Sequence, residues 1–306
     1  MIGCVQDMID SSVTQPVVSV VIPAYGLPDY LNEAVESVCR QTFLDYEIIV
    51  VDDGSPEGVV ERYKLPQTAQ LIVHDHHGGA GAATRNTGLR AARGKYVAFL
   101  DQDDIWLPET LERQVEALER NPDIAIAFCH YTVVDENLTP LPVQRPPRRG
   151  VRDPLKKLIS GCFIRTPSTV LVRRDAVEEC GRFDESIVGG SDWDFYLRLA
   201  RRHKFIAVPE SLVLYRTHPR QMHKDEVVMR RAKFMVLEKA LDWSRDERWG
   251  IRKAVRRSYC RLCRQTAQAQ LARGQSEEAR KSVLQAIRAW PWTLRNYGLL
   301  LKVRLR

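Results

Sequence analysis

Through the first 120 residues, short unbroken hydrophobic runs alternate with stripes at helical spacing. Residues 17–22 form a continuous, largely β-branched run closed by Pro23, the pattern of a strand buried on both faces. Pro28 and Asp29 then open a helix whose Leu31, Ala34, Val35 and Val38 share one face. Residues 46–51 predict a second strand, ending in the turn cluster Asp52, Asp53, Gly54 and Ser55. A short third strand (70–73) leads through Gly78, Gly79 and Gly81 to a helix starting near Ala82. A fourth strand (96–100) runs into Asp101, and residues 108–120 form an amphipathic helix stopped by Asn121 and Pro122. Such alternation predicts an α/β fold with a mixed, mainly parallel sheet flanked by helices. Beyond residue 122 the pattern predicts strands at 124–131 and 168–172, a helix at 192–201 and short strands at 205–208 and 212–216. Five prolines and four arginines in 139–154 predict a surface loop. From about Asp225 onward the pattern is helical, with turn signals at Gly274 and Pro291. The expected organisation is a flexible tail (1–15), a catalytic α/β domain (16–224) and an all-helical extension (225–306).

In open sheets of this kind, ligands bind beyond the carboxyl ends of the strands. Those ends carry Pro23, Ala24, Tyr25, Asp52, Asp53, Asp101, Asp103 and Asp104. Carboxylates on neighbouring strand ends repel one another unless they meet a metal, a sugar or a base. The cluster Asp101, Gln102, Asp103, Asp104 is the sharpest of these signals. An Asp-x-Asp offers two hard oxygen donors to one cation, and Mg²⁺ or Mn²⁺ accepts few carboxylates while leaving positions for phosphate oxygens. A simple Asp-rich turn fits the same residues.

The chain resembles family 2 glycosyltransferases with the GT-A fold, over roughly residues 17–220. The matching stretches occur in order: 18–25 (VSVVIPAY), 37–43 (SVCRQTF), 49–55 (IVVDDGS), 78–88 with Arg85 and Asn86, 94–104, 191–199 (SDWDFYLRL) and 215–218 (YRTH). The resemblance implies transfer of one sugar, with inversion, from a nucleotide-diphosphate sugar, by default a UDP-sugar, to an acceptor hydroxyl in surface polysaccharide or glycoconjugate synthesis. It implies that Asp52 bonds the nucleobase in a pocket shaped by Pro23, Ala24 and Tyr25, with Arg85 on the nucleotide side. Asp101 would face the ribose or support the metal site, Asp103 would ligate Mn²⁺ or Mg²⁺, and His218 would contact the metal or the diphosphate. Asp192 would be the general base. Many relatives carry Glu before that Asp, whereas this chain has Ser191. Asp194 is the poorer candidate, because residues two apart on a helix do not share a face. No Gln-x-x-Arg-Trp follows Asp192, and that motif accompanies processive synthases, so its absence favours single-sugar transfer. A different class of reading is a catalytically silent protein that binds nucleotide sugar or assembles through its helical extension; the retained Asp52, Asp101, Asp103 and Asp192 argue against it.

Several residues carry more than one reading. Trp106 stacks on a sugar or seals the core, and Trp193 has the same two readings, with its place beside Asp192 favouring acceptor contact. His74, His76 and His77 decorate a loop. Gly79, Gly81 and their neighbours imitate a dinucleotide fingerprint but follow the third strand rather than the first. Arg148, Arg149 and Arg152 belong to a solvated loop or a mobile lid. Seven scattered cysteines exclude a dense disulfide framework, and the single Cys260-x-x-Cys263 has no second pair.

Charge then separates the chain into two parts. Residues 1–224 carry 26 Lys+Arg and 31 Asp+Glu, a net of −5, whereas residues 225–306 carry 20 and 8, a net of +12. Trp290, Trp292, Tyr297 and Leu299 to Leu301 interleave with Arg295, Lys302, Arg304 and Arg306, a composition suited to an anionic membrane surface or to an ordinary basic helix face. Ala267, Leu271, Gly274, Ala279, Leu284, Ala286 and Pro291 loosely match a tetratricopeptide hairpin. Nucleic acid is the less favoured partner, since no recognised motif accompanies the charge. Without a basic, apolar leader or a long apolar run, the expectation is a cytoplasmic protein, peripheral at the inner membrane face if it meets a glycan or lipid-linked acceptor there.

Overall fold

The computed structural model describes residues 15–79, 81–142, 153–221 and 225–304. The tail at 1–14, the loop centre at 143–152 with Arg148, Arg149 and Arg152, and Arg306 lie outside the described residues. Eight strands form one sheet: β1 (Val18–Ala24), β2 (Tyr46–Asp52), β3 (Gln70–Val73), β4 (Tyr96–Phe99), β5 (Ile105–Trp106), β6 (Ile124–Val134), β7 (Val170–Arg173) and β8 (Lys204–Arg216). Their order is β3-β2-β1-β4-β7-β6-β8-β5. The β3-β2-β1-β4 half is parallel, β7 runs antiparallel to β4 and β6, and β5 antiparallel to β8. On one side of β1 lies β2 and on the other β4, so the chain order reverses there and opens a crevice at the carboxyl ends. Register brings the ends of β1 and β2 level, with Ala24 opposite Asp52, while β4 stops three residues short, with Phe99 opposite Val21.

Helices cover both faces. One carries α1 (Pro28–Cys39) and α3 (Thr110–Glu119), whose Leu31, Val35, Leu111 and Leu118 pack with Val20, Ile22 and Val50. The other face receives Val21, Ile49 and Val97, the alternate residues of the same strands. Against it lie α2 (Ala82–Ala91), α4 (Pro154–Ser160), α5 (Arg174–Cys180) and α6 (Ser191–Ala200). The approach of α2 to β1 requires glycine: a Cβ on Gly88 would stand 2.2 Å from a Val21 methyl carbon.

The helical extension comprises α7 (Glu226–Trp243), α8 (Trp249–Ala272), α9 (Ser276–Ala289) and α10 (Leu294–Arg304). Ala232, Val236, Leu237, Val255, Cys260, Cys263 and Ala286 belong to the same apolar cluster as the second face of the sheet. A smaller cluster of Ala267, Ala279, Val283, Leu299 and Val303 holds the distal ends of α8, α9 and α10 together. The Cys260 and Cys263 thiols are buried in that packing, and burial pushes Cys263 up to about 12, which suits a core residue rather than a reactive thiol. None of the described helices is long and apolar enough to cross a membrane.

Several elements depart from the sequence reading. The short strands expected at 205–208 and 212–216 are one strand, β8. Pro209 and Glu210 read as an interruption, yet pairing with β6 jumps from Cys129–Val208 to His130–Ser211, so a bulge absorbs them. Helices α4 and α5 were not expected; at seven residues each, neither is long enough to show a periodic face. The extension also breaks at Ser244–Arg248, between α7 and α8, without a Gly or Pro to signal it.

Candidate active site

A cleft of about 610 Å³ opens at the crevice between β1 and β4. Its walls come from the end of β1 (Pro23, Ala24, Tyr25), the start of α2 (Arg85), the segment after β4 (Asp101, Gln102, Asp103), the N-terminus of α6 (Asp192), the residues after β8 (His218, Arg220) and Met229 of α7. Gln102 fastens two of these walls: its side chain accepts from the Tyr25 backbone N–H at 2.9 Å and donates to the Tyr25 carbonyl at 3.0 Å.

The three carboxylates after β4 occupy different environments. Asp104 is completely buried and accepts from Ser168 Oγ (2.6 Å), Thr166 Oγ1 (2.9 Å) and the Arg216 backbone N–H (3.2 Å). Burial, then the charges of Asp103 and Asp101, hold its carboxyl well above the usual carboxylate range. It therefore anchors the segment from beneath. Asp101 accepts from Arg85 and from Thr166 Oγ1 at the cleft floor. Asp103 lies 3.0 Å from His218 Nε2 and accepts from Gln221 Nε2 at 3.2 Å. Behind them, Arg216 is 1% exposed. Its guanidinium donates to the Asp103 carbonyl (3.1 Å), the Glu136 carbonyl (3.0 Å) and Glu33, and lies over the Tyr30 ring at 4.3 Å. Sequence reading noted Arg216 only as part of YRTH; nothing in a lone Arg after an apolar run marks it as a buried clamp.

The opposite wall is built by α6. Asp192 stands in its first turn, where the carboxylate accepts from the Trp193 N–H at 2.8 Å. Burial pushes its carboxyl up, and the positive charge of Arg85 opposes the shift without cancelling it. Arg85 is thus the shared cation of the cleft, bonded to Asp101 and acting on Asp192. Asp194, two residues on, is turned away. It accepts from Arg198 Nε (2.9 Å) and Lys239 Nζ (2.8 Å) and does not line the cleft. Asn86, beside Arg85, is likewise structural, exchanging 2.9 Å hydrogen bonds with the Phe183 backbone.

Four expectations need correction. Asp52 does not line the cleft: it is fully buried, and its carboxylate is committed to the Ser55 N–H (2.8 Å), Ser55 Oγ (2.6 Å) and the Tyr63 hydroxyl. Asp53 lines the cleft instead, accepting from the backbone N–H groups of Gly78 (3.1 Å) and Gly79 (3.3 Å) and pairing with His77 at 2.7 Å. Trp106 seals the core, its indole N–H donating to the Ser168 carbonyl at 2.7 Å. Trp193 is buried as well and donates to the Leu158 carbonyl at 2.8 Å, away from the cleft. His77 is more than loop decoration: its ring stacks on Tyr25 with centroids 3.9 Å apart, making an aromatic platform at the cleft edge. The turn that places Asp53 and His77 together needs Gly54, whose φ is +72° and whose Cβ would stand 2.6 Å from the His76 carbonyl carbon.

Among the described residues, no three His, Cys, Asp or Glu side chains converge as a ready-made cation cage. Asp103 and His218 supply a hard oxygen and an imidazole on one wall, a donor set that fits a divalent cation shared with a ligand's phosphate oxygens. Arg85, Arg165 and Arg220 stand round the same cleft as anion partners.

Comparison with known proteins bears on the fold and the family. The profile of "Glycosyl transferase family 2" matches residues 19–181. The putative teichuronic acid biosynthesis glycosyltransferase TuaG of Bacillus subtilis is 36% identical over 168 residues, which cover 53% of this chain and 64% of TuaG. The structure of S. aureus TarS 1-349 in complex with UDP-GlcNAc aligns over 92% of this chain and 83% of that one, with a TM-score of 0.66 and 18% identity. The mannosyltransferase PcManGT from Pyrobaculum calidifontis, in complex with GDP-Man and Mn²⁺, aligns over 95% and 80%, with a TM-score of 0.61 and 22% identity. Those alignments show the GT-A fold with helices after it, and the profile spans the strands that build the crevice from β1 to β7. The chain belongs to glycosyl transferase family 2.

Proposed function

We propose that the protein transfers a single sugar, with inversion, from a nucleotide-diphosphate sugar to an acceptor hydroxyl, with Asp192 as general base. The carrying observation is that one cleft holds Asp192 on one wall and the Asp101 to Asp103 cluster on the other, with Arg85 between them. The Tyr25–His77 stack supports nucleobase binding, because an exposed aromatic face accepts a second ring. Arg85, Arg165 and Arg220 would meet the diphosphate. Asp103 and His218 would hold Mn²⁺ or Mg²⁺, with Asp101 in support. A cation there supplies charge stabilisation to the departing nucleoside diphosphate. Asp192 would take the acceptor's hydroxyl proton as that oxygen attacks the anomeric carbon. A carboxyl pushed up by burial is a stronger base once ionised, and such assistance is worth roughly 10²–10⁴ in rate.

A UDP-sugar is the first donor to test, because TarS 1-349 is seen with UDP-GlcNAc. A glycan or lipid-linked acceptor in surface-polymer synthesis follows the likeness to TuaG. Incubation with a panel of UDP- and GDP-sugars and Mn²⁺ should yield nucleoside diphosphate in the presence of a suitable acceptor. Asp192→Asn should abolish that release while UDP still raises the melting temperature. Undiminished turnover by Asp192→Asn would sink the assignment.

A further inference from the structure

A second cleft, sharing no lining residue with the first, lies within the helical extension. It measures about 520 Å³ and is enclosed by the end of α7 and the turn after it (Leu241, Ser244, Arg245), by α8 (Arg252, Arg256, Tyr259) and by α9 (Gln285, Arg288, Ala289). Arg252, Arg256 and Tyr259 are spaced four and three residues apart, so they form one stripe of α8. Arg288 faces them from α9. Among the described residues, no carboxylate lines the cleft. Two carboxylates on the flanking segments are already engaged: Asp242 pairs with Arg245 at 2.8 Å, and Glu238 accepts from the Tyr259 hydroxyl at 3.0 Å. Arg252, Arg256 and Arg288 have no ion-pair partner among the described residues, although the same structure pairs many of its other arginines.

Two of the guanidiniums are held rather than free to wander. Arg256 Nε donates to the Ala289 carbonyl at 2.9 Å, at the end of α9. Arg252 Nη2 donates to the Arg245 carbonyl at 2.6 Å, while its Nε is buried with no hydrogen-bond partner among the described residues. Gathering three guanidiniums without a carboxylate partner costs repulsion, and an anion between them offsets it. Planar guanidinium forks match the oxygens of a phosphate, and the net +12 of residues 225–306 draws such an anion in.

The geometry points to a binding site for a phosphate or diphosphate group in this arginine-lined cleft, separate from the sugar-transfer cleft. α7 connects the two, with Met229 on one and Leu241 on the other, roughly 18 Å apart along a helix rising 1.5 Å per residue. The phosphate can belong to a soluble molecule or to a lipid headgroup, and both present the same chemistry to the arginines.

The test uses the full chain saturated with UDP and Mn²⁺, so that the first cleft is filled. Inorganic pyrophosphate is titrated calorimetrically at fixed ionic strength. In parallel, cosedimentation is measured with phosphatidylcholine vesicles that contain or lack phosphatidic acid. Binding in either arm should weaken tenfold or more in Arg252→Gln/Arg256→Gln, the scale of losing charge-assisted hydrogen bonds. Arg288→Gln, an exposed change, supplies the same readout should the double variant fold poorly. Arginine-dependent binding of pyrophosphate alone assigns a soluble ligand, and of phosphatidic acid vesicles alone a headgroup. Wild-type chain that binds neither, or variants that bind as wild type does, overturns the site. Loss of UDP binding in the wild type would count against the proposed function and not against this site.

Discussion

Individual side chains in the crevice are set by what lies beneath them. Asp192 and Asp194 are alike in sequence, and only packing separates them: Asp194 is held by Arg198 and Lys239, whereas Asp192 keeps its place on the cleft wall. The resemblance pointed to Asp192, and helix spacing added only that the two carboxylates do not share a face. The difference between Asp52 and Asp53 was not legible, because it turns on which way the loop after β2 folds back, bringing Ser55 and Tyr63 onto Asp52 and leaving Gly78 and Gly79 to Asp53. Which of its two readings each tryptophan takes was hidden for the same reason, since indole burial depends on a distant carbonyl in each case. For Asp192, burial raises the carboxyl above the ordinary aspartate range. Under the proposed function the ionised form is the base, so kcat/KM should fall as pH drops through that raised value. The acid limb should therefore lie above the ordinary aspartate range, and a limb at or below it would show that another group governs the rate. Arg216→Lys should raise the Mn²⁺ concentration needed for half-maximal turnover at least several-fold. A lysine ammonium cannot reproduce the planar fork on Asp103, Glu136 and Glu33. Unchanged metal dependence in that variant would remove Arg216 from the positioning role.

Elements were more legible than side chains. Strands buried on both faces give unbroken apolar runs, β-branched in β1 and β2 and partly aromatic in β4, so all three announce themselves. Strand β8 did not, because a bulge opposite Cys129 and His130 hides its continuity. The extension's helices were readable, but their docking onto the sheet was not, for the residues responsible are scattered single contacts. Lys239 of α7 is the clearest, bridging Asp184 (2.7 Å) and Asp194 (2.8 Å). Burial opposes ionisation of Asp184, yet hydrogen bonds from Lys239 and Ser186 outweigh it and bring the carboxyl to about 2. A carboxyl lowered by folding stabilises above its unfolded range near 4 and loses that contribution as pH falls toward 2. Lys239→Met should accordingly melt below the wild type at pH 7, with the gap narrowing between pH 4 and pH 2. A gap that stays constant across that range would exclude the ion pair as its source.

Across the whole molecule, charge and packing divide the chain differently. The net charge changes sign near residue 225, but the apolar cluster does not, running from Val21 and Phe99 through Val236 and Val255 to Ala286. Composition shows the first boundary and is blind to the second. Calorimetry on the full chain should give one cooperative transition, with the calorimetric and van't Hoff enthalpies in agreement. Two resolved transitions would show that the extension folds by itself. Helix α7 has a further consequence, for grafting. Gly190 leaves space for Ala232, Met229 lines the first cleft and Lys239 holds α6, which carries Asp192, from behind. A chimera that exchanges the basic helices between relatives should therefore be cut at the Ser244–Arg248 break, keeping α7 with its parent sheet, because a cut at Asp225 would transplant part of the catalytic wall along with the tail.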